Sequence, residues 1–133
     1  MTKAQLRAYK ELRRERDKLA QMIADLEATI YGPKAVKYDA VPRGGSGPSD
    51  PVAELAGRHL ALCEQYTEAV TRLSAQMAEI EAAIEPLEPT ERTIIRLHYF
   101  QGLTWEQVAV EMNYTWRHVH RLHGKALEKL QEQ

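Results

Sequence analysis

The sequence is poor in residues that form covalent cross-links and in long apolar runs. It holds one cysteine, Cys63, which alone can form neither an internal disulfide nor a zinc site. We expect Cys63 to be a small buried hydrophobe beside Leu62. No apolar run approaches the roughly 20 residues that span a membrane, and the charged N-terminus lacks the apolar segment of a signal peptide. These absences favour a soluble, intracellular protein.

The chain also lacks a large charge of either sign, with a formal net charge of −1 over 133 residues. That balance does not support a strongly basic nucleic-acid binder. The distribution is uneven: residues 1–43 hold ten Lys/Arg against six Asp/Glu, and residues 50–86 hold two against seven. Residues 87–133 hold six of each, with four histidines. A neutral domain can bind DNA if its bases share one face, but we expect it to bind modestly alone.

Two long helices are predicted in the first two thirds of the chain. The first runs from about Thr2 to Tyr31, and the second begins after Ser49 or Asp50 as its cap and runs to about Glu85. Each has an apolar stripe at three-four spacing. The stripe of the first helix comprises Tyr9, Leu12, Leu19, Ile23, Leu26 and Ile30, with Arg16 as a charged exception. The stripe of the second comprises Leu55, His59, Leu62, Tyr66, Ala69 or Val70, Leu73, Met77, Ile80 and Ile84.

We expect the two helices to pair as an antiparallel, coiled-coil-like hairpin, because the first is basic and the second acidic. His59 on the seam is interpreted as an interface histidine rather than a ligand. A homo-oligomer, most simply a dimer, is predicted, although the sequence leaves open whether the hairpin pairs with a second copy. Residues 32–51 between the helices hold four glycines and four prolines and are interpreted as a solvated linker, while Tyr38, Val41 and Arg43 could dock on a partner.

The stretch LTWEQVAVEMNYTWRHVHRLH at residues 103–123 has the sidedness of a helix-turn-helix. Its apolar or small positions are Val108, Ala109, Met112, Tyr114, Val119 and Leu122. Ala109 permits a close helix crossing, and Asn113 occupies the turn, where a left-handed backbone is needed. The side chains predicted to point outward, where a DNA groove would lie, are those of Thr115, Trp116, Arg117, His120 and Arg121, with Gly124 among them.

One further helix should precede this stretch, since Pro86 and Pro89 end the second long helix. Thr90 is predicted to cap it, and its apolar face comprises Ile94, Ile95, Leu97 and Phe100. Gly102 ends it, Thr104 with Gln107 forms a capping box for the next helix, and Thr115 caps the last. The predicted fold is all-α: a helical hairpin at 1–86 with its irregular loop at 32–51, then a three-helix helix-turn-helix domain at 87–133.

The segment LEPTERTIIRLHYFQGLTWEQVAVEMNYTWRHVHRLHGKALEKL resembles region 4 of the bacterial sigma-70 family. The shared residues are Glu91-Arg92, Tyr99-Phe100, Gly102-Leu103 and Thr104-Trp105-Glu106. The layout of the whole chain resembles small phage regulators of the RinA/ArpU type. The features that carry this resemblance are the hairpin, the loop, and the sequences Tyr114-Thr115-Trp116-Arg117 and His123-Gly124-Lys125-Ala126-Leu127. That resemblance implies late-gene control on double-stranded DNA with host RNA polymerase, in the nucleoid-associated cytoplasm of a bacterium. Because no region 2 is present, it implies an accessory regulator.

The helix-turn-helix geometry indicates which side chains would contact DNA. They are Thr104, Thr115, Trp116, Arg117, His120, Arg121 and Lys125. Arg117 and Arg121, four residues apart, could each pair with guanine O6 and N7, and Trp116 could pack on a sugar or a thymine methyl. The two threonines, at helix N-termini, are predicted to donate their hydroxyls to phosphates, and the histidine and lysine to contact phosphates.

The sequence gives weaker support for other functions. His118, His120 and His123 suggest a metal, but no carboxylate or cysteine at compatible spacing completes a site, so no cofactor is expected. They could instead make DNA affinity depend on pH. GGSG at 44–47 lacks the following Lys-Ser/Thr of a phosphate loop, and Cys63 is a poor nucleophile on a coiled-coil face, so no enzyme is predicted. A DNA-packaging accessory like a small terminase subunit, or a polymerase-binding adaptor without DNA readout, remain alternatives.

Overall fold

A computed structural model of the protein describes residues 1–32 and 50–132, and those residues form an all-α fold. The elements are α1 (Lys3–Tyr31), α2 (Pro51–Ile84), α3 (Pro89–Ile95), a π-helical turn (Arg96–Phe100), α4 (Trp105–Met112) and α5 (Trp116–Gln131). The predicted fold class is confirmed, because α1 and α2 form a long antiparallel pair in contact and short helices of helix-turn-helix arrangement follow. Most of the predicted loop, with Tyr38, Val41, Arg43 and GGSG, lies outside the described residues.

The chain forms two compact units. The terminal unit comprises Met1–Arg13 and Arg72–Gln133, and the central unit comprises Arg14–Thr71. The start of α1 and the end of α2 therefore belong with the three short helices, whereas the central unit consists of the remaining parts of the two long helices. Of the helices in the described ranges, none is both long enough and apolar enough to cross a membrane.

Both long helices begin with side-chain caps. The Gln5 amide donates to Thr2 Oγ1 at 3.3 Å, and the Thr2 amide donates to Gln5 Oε1 at 2.7 Å, which is a capping box. At the start of α2 the Val52 amide donates to Asp50 Oδ1 at 3.0 Å. Asp50 is thus the cap of α2, while Ser49, the other predicted candidate, lies outside the described residues.

The central unit is a thin two-helix seam. Leu19, Leu62 and Ala69 are its buried apolar residues. The remaining stripe positions in this unit are half-buried, namely Ile23, Leu26, Ile30, Leu55 and Tyr66. Of the two candidates at one stripe position, the fold buries Ala69 and exposes Val70. A pair of helices buries only the line along which they touch, so this unit has little apolar depth.

Two sequence predictions concern polar residues of this seam. His59 is confirmed as a partnered interface histidine, since its Nε2 lies 2.9 Å from Glu27 Oε1 across the helix pair. The predicted burial of Cys63 is wrong in degree, because that residue is only half-buried. Its Sγ lies 3.8 Å from His59 Nε2, at the flank of the seam rather than in its centre.

The terminal unit has a deeper core. Leu6 and Tyr9 from α1 are almost fully buried, as are Ile80 and Ile84 from α2. The short helices supply a cluster of Ile94, Leu97, Val108, Ala109 and Val119, with Leu103, Trp105, Met112 and Leu122 packed against it. The apolar pattern predicted for the helix-turn-helix is therefore confirmed, except that Tyr114 is 39% exposed.

The start of α3 differs from the sequence prediction. The N-cap is Glu88, without a side-chain cap, and Thr90 lies inside the helix, so its predicted capping role is wrong. Pro89 explains the shift, because its fixed φ suits the first helical position and its missing N–H needs no partner there. Glu91 is buried, and its carboxylate accepts a hydrogen bond from Lys129 Nζ at 2.5 Å, which joins α3 to the end of α5.

A π-helical turn continues α3 from Arg96 to Phe100. The Gln101 amide donates to the Arg96 carbonyl, five residues back, at 3.0 Å. The wider turn allows three consecutive residues, Leu97, His98 and Tyr99, to be buried together. The Arg96 guanidinium also donates two hydrogen bonds to the Glu81 carboxylate, at 2.8 and 2.7 Å, and so fixes this turn on α2.

Candidate nucleic-acid interface

The turn between α4 and α5 has the backbone geometry of a helix-turn-helix. Asn113 adopts the left-handed conformation, with φ of 58° and ψ of 41°. The Tyr114 amide donates to the Ala109 carbonyl at 3.0 Å, and the Asn113 amide donates to the Val110 carbonyl at 3.2 Å. These two bonds form a Schellman motif, which ends α4 and redirects the chain into α5. The sequence prediction for Asn113 is confirmed.

Threonine side chains start both helices of the motif, as predicted. The Gln107 amide donates to Thr104 Oγ1 at 3.2 Å, and the Thr104 amide donates to Gln107 Oε1 at 2.9 Å, completing the capping box. At α5 the His118 amide donates to Thr115 Oγ1 at 3.1 Å. Both threonines are exposed, so each hydroxyl, whose oxygen accepts from a helix amide, can donate its own proton to a group in solvent.

Helix α5 separates a buried face from a cationic one. The buried residues are Val119, His123, Ala126 and Leu130. Arg117, Arg121 and Lys125 follow one another at four-residue intervals and are all exposed. The structure therefore brings three of the predicted DNA contacts onto one outward face of the same helix.

Other residues of α5 also bear on the predicted interface, beginning with Trp116 in its first turn. Trp116 is 52% exposed and so presents a large apolar surface to solvent. The Arg121 guanidinium donates to His118 Nδ1 at 2.6 Å, which orients the arginine along the helix surface. Gly124 is half-buried, and a Cβ added there would meet no atom within 4 Å, so close packing does not account for the glycine.

His120 does not point freely outward, in contrast to the sequence prediction. Its ring lies 3.9 Å from that of Trp116 and 5.0 Å from that of Trp105, and its Nε2 is buried with no hydrogen-bond partner among the described residues. The Trp105 ring in turn stacks on His98 at 3.7 Å. An aromatic row of His98, Trp105, His120 and Trp116 thus leads from the core to the surface of α5. A phosphate could reach His120 Nε2 only after the ring turned.

His98, at the inner end of the aromatic row, has a defined tautomer. Its Nδ1 lies 2.8 Å from the Leu103 carbonyl, which can only accept, so Nδ1 carries the proton. Its Nε2 lies 3.2 Å from Lys10 Nζ, an ammonium that can only donate, so Nε2 accepts. The ring is therefore neutral. Burial lowers the pKa of His98 to about 4, with the nearby charges of Lys10 and Arg13 acting in the same direction.

His123 lies beside the aromatic row in the buried face of α5. Its Nε2 is 2.9 Å from the Tyr99 hydroxyl, and its ring is 4.4 Å from that of Trp105. Burial lowers the pKa of His123 to about 4 and raises that of Tyr99 to about 12. Both groups are uncharged near neutral pH, and they bind α5 to the π-helical turn.

Sequence reasoning missed the part of α1 that contacts this site. Lys10 reaches His98, and the Arg13 guanidinium occupies the space that a side chain at Gly102 would fill. Gly102, which was predicted to end the preceding helix, has a φ of 78°, so both its conformation and this contact require glycine. These contacts join residues about 90 positions apart, and spacing in the sequence carries no signal for them.

The remaining chemistry of the site is simple. Within residues 1–32 and 50–132, no group of three or more His, Cys, Asp or Glu side chains is arranged to hold a metal ion. His118, His120 and His123, the three histidines considered for a metal, are engaged with Arg121, with the tryptophans and with Tyr99 respectively. The arrangement can offer cations and hydroxyls to an anionic partner.

Comparison with known proteins agrees with this geometry. Residues 83–132 match the family described as Sigma-70, region 4, which is a non-catalytic DNA-binding domain. The match starts in the last turn of α2 and includes every short helix of the terminal unit. Neither a curated protein nor a solved structure gives a significant match to the chain. Residues 83–132 therefore combine the fold of a helix-turn-helix with sequence similarity to sigma-70 region 4.

Proposed function

We propose that the protein is a sequence-specific transcription regulator of the RinA/ArpU type, which controls late genes of a phage or prophage together with host RNA polymerase. The observation that supports DNA readout is the outward face of α5. Arg117 and Arg121 lie one turn apart there, next to the exposed Trp116, at the N-terminal end that enters the major groove in helix-turn-helix proteins.

The roles of the site residues follow from their places. The guanidinium groups of Arg117 and Arg121 suit bidentate pairing with guanine. Thr104 and Thr115 cap helices whose N-terminal amides favour a phosphate, and Lys125 extends the cationic face toward the neighbouring backbone. His120 acts within the aromatic row, where it supports Trp116. The hairpin at 1–86 serves as the part that joins copies, a dimer being the simplest assembly, and the domain at 87–133 serves as the DNA reader.

The test is selection of bound duplexes from random DNA by the full chain, followed by binding assays with variants. We expect a defined motif, and we expect the double variant Arg117→Ala, Arg121→Ala to lose about 2–6 kcal/mol of specific binding. The matched control is Arg58→Ala, Arg72→Ala, which removes the same charge from exposed positions of α2. Equal losses in both variants would contradict base readout by α5.

The same protein and variants distinguish the regulator from the two alternative functions. Retained binding to RNA polymerase by the α5 variant, with no DNA motif selected by the unaltered chain, would favour the adaptor. A ring of many subunits in light scattering would favour the packaging accessory. A dimer bound to one promoter site supports the regulator.

A further inference from the structure

The first turns of α1 are built into the helix-turn-helix unit. Leu6 and Tyr9 are almost fully buried there, and the Tyr9 ring lies 5.3 Å from that of Phe100. Lys10 Nζ is within hydrogen-bond distance of His98. Because these contacts hold the start of α1 on the domain, the charged residues at positions 1–13 keep fixed places on it.

The charges on this segment are mostly positive. Residues 1–13 hold four cationic side chains and one carboxylate, that of Glu11. The cations are Lys3, Arg7, Lys10 and Arg13, and we call them the basic edge. Spacings of four and three place the first three on one face of α1. Residues 87–133 carry no net charge of their own, so the basic edge supplies the excess of positive charge that this domain lacks.

The basic edge runs along the side of the domain that carries the buried histidines. Lys3 and Lys10 are close enough to contribute to the lowered pKa of His123, after burial, and Arg7 is close enough to oppose the raised pKa of Tyr99. Lys3 and Arg7 are exposed, so they can meet a ligand in solvent.

Arg13 brings the basic edge to the start of α4. Its guanidinium fills the space next to Gly102, two residues before the Thr104 cap, and its Nε is buried without a hydrogen-bond partner in the described part of the chain. In a helix-turn-helix bound to DNA, the first helix crosses the sugar-phosphate backbone. Arg13 is therefore placed near the position of a backbone phosphate.

The opposite edge of α5 differs in charge. A shallow cleft there is lined by Glu88 and Glu91 as well as by Lys125 and Lys129. Since Lys129 is paired with Glu91, and the charge of Glu88 offsets that of Lys125, this edge as a whole attracts a polyanion less than the basic edge does. The charge asymmetry distinguishes the two sides of α5 and favours DNA backbone on the α1 side.

We propose that the basic edge of α1 is a second DNA contact, which binds backbone phosphates beside the start of α4 while α5 lies in the groove. The proposal rests on the DNA-binding function proposed above and extends it to residues outside the region 4 match. Phosphate contacts carry no sequence information, so the basic edge would add affinity and fix orientation without altering the preferred motif.

The experiment compares full-length variants on the selected duplex and on unrelated duplexes over a range of salt concentrations. Lys3→Gln, Arg7→Gln removes two exposed cations of the basic edge, and Arg58→Gln, Arg72→Gln removes two exposed cations of α2 as a control. Each lost phosphate contact reduces the slope of log K against log salt by about 0.9. We expect the first variant to reduce the magnitude of this negative slope by about 2 and to weaken binding to all duplexes alike. The control should leave the slope unchanged.

The outcomes separate the two proposals. If the basic-edge variant keeps the slope of the unaltered protein while Arg117→Ala, Arg121→Ala loses the motif, the second contact is wrong and the regulator stands. If the unaltered chain selects no DNA, both proposals fail. If the basic-edge variant changes the selected motif, a phosphate role is contradicted. Circular dichroism and thermal melting establish that each variant is folded before binding is compared.

Discussion

The terminal and central units use the same two long helices to different depths. In the terminal unit Leu6, Ile84 and Ile94 have no exposed surface, because α1 and α2 are covered there by α3 to α5. In the central unit Leu19, Leu62 and Ala69 remain 7%, 9% and 5% exposed, and the other stripe positions are half-buried. An apolar stripe of constant spacing therefore gives very different burial, depending on how many helices share it.

This difference assigns separate tasks to the two units. The terminal unit has enough apolar depth to hold α5 and the aromatic row in fixed positions, as the DNA-reading role proposed for α5 requires. The central unit exposes apolar side chains, among them Met22 and Leu60 at 43% and 60%. Such a surface is compatible with the copy-to-copy pairing proposed for the hairpin.

The largest expected difference between the units comes from truncating their cores. Ile94→Ala removes a fully buried side chain, and we expect it to lower the free energy of unfolding by about 4 kcal/mol. Leu26→Ala removes a half-buried one, and we expect a loss of about 1 kcal/mol. Urea denaturation, with amide hydrogen exchange to follow each unit, measures both. Comparable losses at the two positions would show that the units do not differ in packing depth.

Acid should weaken the terminal unit selectively. Its buried histidines, His98 and His123, have pKa values lowered by burial from 6.5 to about 4. Between those pH values the unfolded chain binds protons that the folded unit does not bind. The contribution of the two histidines to the free energy of unfolding is therefore at its full value above pH 6.5 and falls as the pH is lowered toward 4. At about 1.4 kcal/mol per pKa unit the two shifts set an upper limit of about 7 kcal/mol. We expect a loss of about 2–3 kcal/mol, because local opening lets the rings bind protons without unfolding of the whole unit.

Urea titrations at pH 7 and pH 4.5 test this dependence. Three cations face the two rings, namely Lys3, Lys10 and Arg13, and the His120 ring lies beside them. His123→Gln removes one of the two buried groups and should reduce the change in unfolding free energy by about half. An undiminished change in that variant would assign the acid sensitivity to carboxylates instead.

The smallest expected effect concerns the turn that sets the angle of α5. Asn113→Val places a β-branched residue at φ of 58°, and we expect it to cost about 1–2 kcal/mol. Asn113→Gly keeps that conformation accessible and should lie within about 0.5 kcal/mol of the unaltered protein. Thermal melting compares the two substitutions, and the hypothesis of a strained turn fails if valine and glycine are equivalent. The central unit should be unaffected by either.

Local signals predicted the helix-turn-helix well. The capping box at Thr104, the cap at Thr115 and the left-handed Asn113 each depend on residues within five positions, so the sequence contains all the information for them. The predicted cap at Thr90 failed because a proline one position earlier starts α3 and competes for the same turn.

Contacts distant in sequence could not be predicted. The π-helical turn buries Leu97, His98 and Tyr99 together, and His98 is held partly by Lys10 from the other end of the chain. His120 was expected at the surface because of its position on α5, but two tryptophans cover its ring. Helical periodicity gives the direction of a side chain and not the size of its neighbours.

The contact between Lys10 and His98 also has a consequence for how the chain folds. It closes a loop of 88 residues, and long loops slow folding because chain entropy must be lost before the contact forms. Once α1 and α2 have paired, the segment still to be closed shrinks to the residues between Ile84 and His98. By the logarithmic dependence on loop length, that reduces the entropic cost by about 1–2 kcal/mol. Pairing of α1 with α2 thus lowers the entropic barrier to this later closure in the helix-turn-helix domain.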